Sequence, residues 1–89
     1  SPAIDVIDGL LAKGAEVSYV DPFVPKLDTG CTALTAVPWS AELLASSDLA
    51  VIVTDHGIFD YDALIEHAPL ILDTRNAIKS RTHNHVWRI

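Results

Sequence analysis

The chain has 89 residues, 49% of them hydrophobic, and a formal net charge of -6. That length holds one small domain, and the apolar content excludes a disordered chain. Six basic residues against twelve acidic ones exclude the basic footprint that nucleic acid requires, and no apolar run approaches the ~20 residues of a membrane span.

Ser1-Pro2 followed by Ala3, Ile4, Ile7, Leu10 and Leu11 predicts a helix with a serine cap and proline in its first turn. Its apolar residues recur at three- and four-residue intervals on one face. Gly14 supplies the left-handed residue that closes such a helix. Glu16-Val17-Ser18-Tyr19-Val20 alternates as a strand with one wet side, and Asp21-Pro22 ends it. Residues 23–32 read as loop, with a proline and a glycine. Cys31 lies in that loop without a neighbouring base and reads as a thiol with no role; a single cysteine excludes an internal disulfide.

Thr35-Ala36-Val37 predicts a short edge strand, and Ser40 caps a helix running to Ser46. Leu49-Ala50-Val51-Ile52-Val53 is an unbroken apolar run, the mark of a strand buried on both faces. Thr54-Asp55-His56-Gly57 leaves it as a turn, and Asp60 caps a helix over 61–67 that Pro69 stops. Leu70-Ile71-Leu72 is the last predicted strand, followed by Asp73-Thr74-Arg75-Asn76. From Asn76 onward the chain reads as a polar, basic tail ending near Val86-Trp87.

Helices alternating with strands specify an α/β fold, a Rossmann-like parallel sheet with helices on both faces. Such a unit ordinarily starts with a central strand, so the sheet is expected to lack its first one and the chain to be a fragment that self-associates or borrows a strand.

Ligands of open α/β sheets bind beyond the carboxyl ends of the strands. Arg75 follows the last predicted strand, where its planar fork suits phosphate or carboxylate; an ion pair with Asp73 or Asp55 is the competing use. Asp21, Thr54, Asp55 and Asp73 lie at or beyond strand ends and are candidate crevice-lining residues. Aspartate also terminates strands by bonding local backbone, which leaves that alternative open. Lys79 and Arg81 extend a positive rim or are simply solvated. His56, His67, His83 and His85 lack the spacing of a zinc site, and no metal is expected. No glycine-rich phosphate loop, nucleophile elbow or poised cysteine–histidine pair occurs in the sequence.

Ser1-Pro2-Ala3, Gly14-Ala15-Glu16-Val17, Asp21-Pro22, Val53-Thr54-Asp55-His56 with Phe59, and Asp73-Thr74-Arg75-Asn76 together resemble the C-terminal domain of nucleotide-sugar dehydrogenases. The resemblance covers nearly all of residues 1–89, in order. It implies a UDP-sugar-binding domain of an enzyme that oxidises the sugar C6 hydroxyl to a carboxylate. NAD is implied as the cofactor, held by an N-terminal domain outside this chain, with the catalytic cysteine also elsewhere. It further implies that Arg75 meets the nucleotide sugar, that the parent is a homodimer or otherwise self-associates, and that the isolated chain is inactive. The lysine-ended strand that precedes the serine-proline in that family is missing here. A non-catalytic, flavodoxin-like binding or regulatory module is the alternative. The cytoplasm is the expected compartment, since no signal peptide opens the chain.

Overall fold

The computed structural model describes residues 2–30 and 32–89, which form two units divided between Trp39 and Ser40. The expected cap at Ser1 and the loop thiol of Cys31 lie outside the described residues. In the first unit, α1 (Pro2–Ala12) buries Ile7. It closes as predicted: Gly14 takes φ 89°, its amide bonds the Leu11 carbonyl at 3.0 Å, and the Ala15 amide bonds that of Leu10 at 3.1 Å. This pair of bonds satisfies carbonyls that a helix end otherwise leaves open.

Two antiparallel strands follow, β1 (Lys26–Asp28) and β2 (Ala33–Thr35), in register Leu27 to Leu34. The expected loop over 23–32 thus contains a strand, and the expected edge strand begins two residues early. Turn chemistry explains the shift. The Thr29 amide donates to the Thr32 carbonyl at 2.8 Å, and Thr29 Oγ1 both donates to that carbonyl and accepts the Thr32 amide. The hairpin tip is tied to α1 where the Gly30 amide meets Asp8 Oδ2 at 3.1 Å; a Cβ at Gly30 would stand 3.2 Å from that oxygen.

The strand expected over 16–20 is absent. A strand exists through its ladder. Among the described residues the Tyr19 carbonyl receives the Val37 amide at 2.9 Å and no strand pairs with this segment. Asp21 therefore does not end a sheet strand. Its Oδ1 accepts the amides of Phe23 at 2.7 Å and Val24 at 3.1 Å, the local turn that aspartate side chains favour.

The second unit holds α2 (Ala41–Ser46), β3 (Ala50–Ile52), α3 (Tyr61–His67), β4 (Ile71–Asp73) and β5 (Val86–Arg88). Both helices carry the predicted caps: Ser40 Oγ accepts the Leu43 amide and Asp60 Oδ1 the Ala63 amide, each at 3.0 Å. The two helices pack against each other. The three strands form one parallel sheet in the order β3-β4-β5, an α/β architecture compatible with a Rossmann-like fold.

Register decides which side chains are buried. Ala50, Ile71 and Val86 are cross-strand partners, as are Ile52, Asp73 and Arg88, and these two rows share one face. Ile52, Ile71, Asp73 and Val86 are buried on it, together with Leu44, Leu64, Ala68, Ala77 and Ile78. The opposite face carries Val51, Leu72 and Trp87, of which Trp87 is 63% exposed.

β5 corrects the expectation of a polar tail. It forms because the Ile71 amide reaches the His85 carbonyl at 2.9 Å and Val86 docks into the core. Histidine and arginine flank a single buried residue, so the segment carries too short an alternation to read as a strand alone. Among the described residues no helix is long and apolar enough to cross a membrane.

Candidate functional site

The site begins with a buried carboxylate. Asp73 ends β4 on the core face and is 0% exposed. Burial alone would raise its pKa. Three backbone amides outweigh that: Arg75 at 3.0 Å and Ala77 at 3.1 Å on Oδ1, and Ile78 at 2.9 Å on Oδ2. With the positive charge of Arg88 nearby, they hold Asp73 below the ordinary carboxylate value and ionised at neutral pH.

Asp73 therefore organises the loop that follows it. The three bonds curl residues 74–78 around the carboxylate, while Ala77 and Ile78 sink their side chains into the core. Asn76 sits at φ 54°, left-handed space that asparagine enters more readily than most residues. Thr74 fastens the near side, its amide and its Oγ1 both donating to the Ile52 carbonyl, at 3.1 and 2.6 Å. Arg75 stands between these anchors, exposed. Among the described residues no carboxylate reaches its guanidinium: Asp73 takes the Arg75 amide, and Asp55 is engaged by Tyr61.

β3 and β4 are parallel and paired Ile52 to Asp73, so the turn after β3 leaves from the same edge as the Arg75 loop. Thr54 and Asp55 are exposed there. Tyr61 OH donates to Asp55 Oδ1 at 2.8 Å, and burial together with that carboxylate pushes the phenol up to about 12. His56, Phe59 and Tyr61 stack edge to face, with centroids 5.2 and 6.2 Å apart, which stiffens the turn.

Positive charge gathers at the same loop. Of the six lysines and arginines, Arg75, Lys79, Arg81 and Arg88 all follow β4 in a chain of net charge -6. Lys79 Nζ donates to the Asn76 carbonyl at 2.7 Å and Arg81 Nη2 to Asn76 Oδ1 at 3.2 Å. Arg88 Nη2 donates to the carbonyls of Ile78 at 3.1 Å and Ser80 at 2.6 Å.

Arg75, Thr54, Asp55 and Asp73 thus share one edge of the parallel sheet, whereas Asp21 belongs to the other unit. Asp73 is fully occupied with backbone, so it shapes the edge without lining it. Sequence reasoning missed Asn76, Tyr61 and Arg88; only Asn76 left a signal, as an asparagine directly after a strand-end turn. No group of three or more histidine, cysteine or carboxylate residues that could hold a metal occurs among the described residues.

No curated protein and no solved structure matches the chain significantly. Residues 1–80 match the UDP binding domain of the UDP-glucose/GDP-mannose dehydrogenase family, and the chain therefore belongs to that family.

Proposed function

We propose that residues 1–89 are the nucleotide-sugar-binding domain of an NAD-dependent dehydrogenase that oxidises the C6 hydroxyl of a UDP-sugar to a carboxylate, and that Arg75 contacts the diphosphate. The observation that carries this is the exposed, carboxylate-free guanidinium of Arg75, presented by an anchored loop at the carboxyl edge of a parallel sheet. That edge is where α/β sheets take ligands, and a planar cation there suits a diphosphate. Thr54 and Asp55 stand on the adjacent strand end, in position to line the same crevice. Titration calorimetry of the 89-residue chain with UDP tests this. Saturable binding that weakens steeply with salt is expected, and UMP, with less charge, should bind less tightly. Absence of saturable heat at low salt would contradict the proposal.

The described residues do not fit the dinucleotide itself. The turn from β3 to α3, which joins a sheet strand to a helix, holds one glycine, and the carboxylate of Asp60 occupies the helix N-terminus that a pyrophosphate would need. NAD therefore belongs, in this proposal, to another part of the enzyme, and the isolated chain does not turn over substrate. The cytoplasm is its proposed compartment.

Self-association is part of the same proposal. β3 is an edge strand. Ala50 and Ile52 direct the Ala50 amide and the Ile52 carbonyl at β4, which turns those of Val51 toward the other edge. An unpaired edge of this kind templates pairing with another strand. Light scattering at micromolar concentration should give a dimer mass; a stable monomer would refute this element of the proposal.

A further inference from the structure

We infer that Arg88 is a positioning residue for Arg75, holding the loop that presents it without touching ligand; this rests on the reading that Arg75 meets the nucleotide. Loop 74–80 is clamped by opposite charges from two adjacent strands. Asp73 and Arg88 are register partners at the ends of β4 and β5. The carboxylate draws in three amides of the loop, and the guanidinium draws in two of its carbonyls. Ile78 is held from both sides, its amide on Asp73 and its carbonyl on Arg88.

The clamp is specific in its chemistry. Both Arg88 bonds leave Nη2, while Nε is buried without a hydrogen-bond partner. Buried polar atoms are rarely left unpaired. The side chain thus forgoes one bond to reach the two loop carbonyls, which marks the loop as what fixes its position. With both loop carbonyls depending on it and its charge facing the buried carboxylate, loss of Arg88 should free Ile78 and Ser80 on their carbonyl side and thereby loosen the Ala77 and Ile78 amides on Asp73.

Amide hydrogen exchange and UDP titration on Arg88→Met and Arg88→Lys test the inference. In Arg88→Met, exchange at Ala77 and Ile78 should accelerate at least tenfold while amides of the β3–β4 ladder and α3 keep wild-type rates. UDP should bind at least fivefold more weakly. Arg88→Lys, which restores the charge and a multiple donor, should recover part of both effects; a general packing role would not be rescued in the loop alone. Wild-type exchange at Ala77 and Ile78 in Arg88→Met, or unchanged UDP affinity with a loosened loop, would overturn the inference. Should Arg88→Met fail to fold, Arg88→Lys decides: its single tetrahedral donor fits the two carbonyls less well, so several-fold faster loop exchange is expected, and unchanged loop exchange overturns the inference. A wild-type chain that ignores UDP would refute the functional reading alone, and the exchange data would still decide whether Arg88 holds the loop.

Discussion

Replacing Asp73 with alanine is expected to destabilise the protein by about 3–5 kcal/mol, the cost of breaking a buried charged network by removing one member. The substitution strands the amides of Ala77 and Ile78 inside the core and removes a negative charge that Arg88 feels. A chain of this size draws on a total of roughly 5–15 kcal/mol, at the low end. Urea denaturation followed by tryptophan fluorescence should therefore show a midpoint near zero denaturant; a shift below about 1 kcal/mol would mean the network is not holding the fold. Asp73→Asn keeps one acceptor oxygen and should lose less. The pH dependence follows from the sign of the shift. The folded pKa lies below the unfolded value of about 3.9. The contribution of Asp73 is complete above that unfolded value and is lost as pH falls through the lowered folded one. Wild-type melting temperature should fall more steeply than that of Asp73→Asn below about pH 4.

Arg75→Ala should weaken UDP binding roughly 10- to 100-fold, since a charge-assisted hydrogen bond contributes about 1.5–3 kcal/mol. Stability should barely change, because the side chain is exposed and the Asp73 bond uses only the Arg75 amide. Arg75→Lys should restore charge but not the planar fork and fall between the two. The salt dependence of the remaining binding should also flatten as one cation is removed. Equal affinity in Arg75→Ala and wild type, measured by calorimetry, would exclude Arg75 from the site.

Much of the second unit was legible in the sequence because its signals are local. The runs around Val51 and Ile71 lack polar alternation, and Ser40 and Asp60 cap helices through bonds three residues away. Gly14 announced its left-handed turn in the same way. Where a strand depends on a distant neighbour, sequence failed. Residues 16–20 alternate correctly yet find no ladder among the described residues, and Val86–Arg88 forms one only because β4 offers a free edge. The site divides along the same line. The placement of Arg75, exposed just past a buried strand, was readable from its residue type and neighbours. For Asp73 the sequence left two uses open, crevice lining and local backbone bonding, and the structure shows the second. Arg88 left no trace, since its partners are the carbonyls of Ile78 and Ser80, which register alone brings within reach.

The most direct test is a proton–nitrogen correlation spectrum of the labelled chain titrated with UDP. Saturable shifts should concentrate on the amides of Thr74, Arg75 and Asn76, with smaller ones at Thr54 and Asp55 on the adjoining strand end. Saturable shifts that leave residues 74–76 unmoved, or none at all at low salt, would contradict a nucleotide diphosphate held at the end of β4.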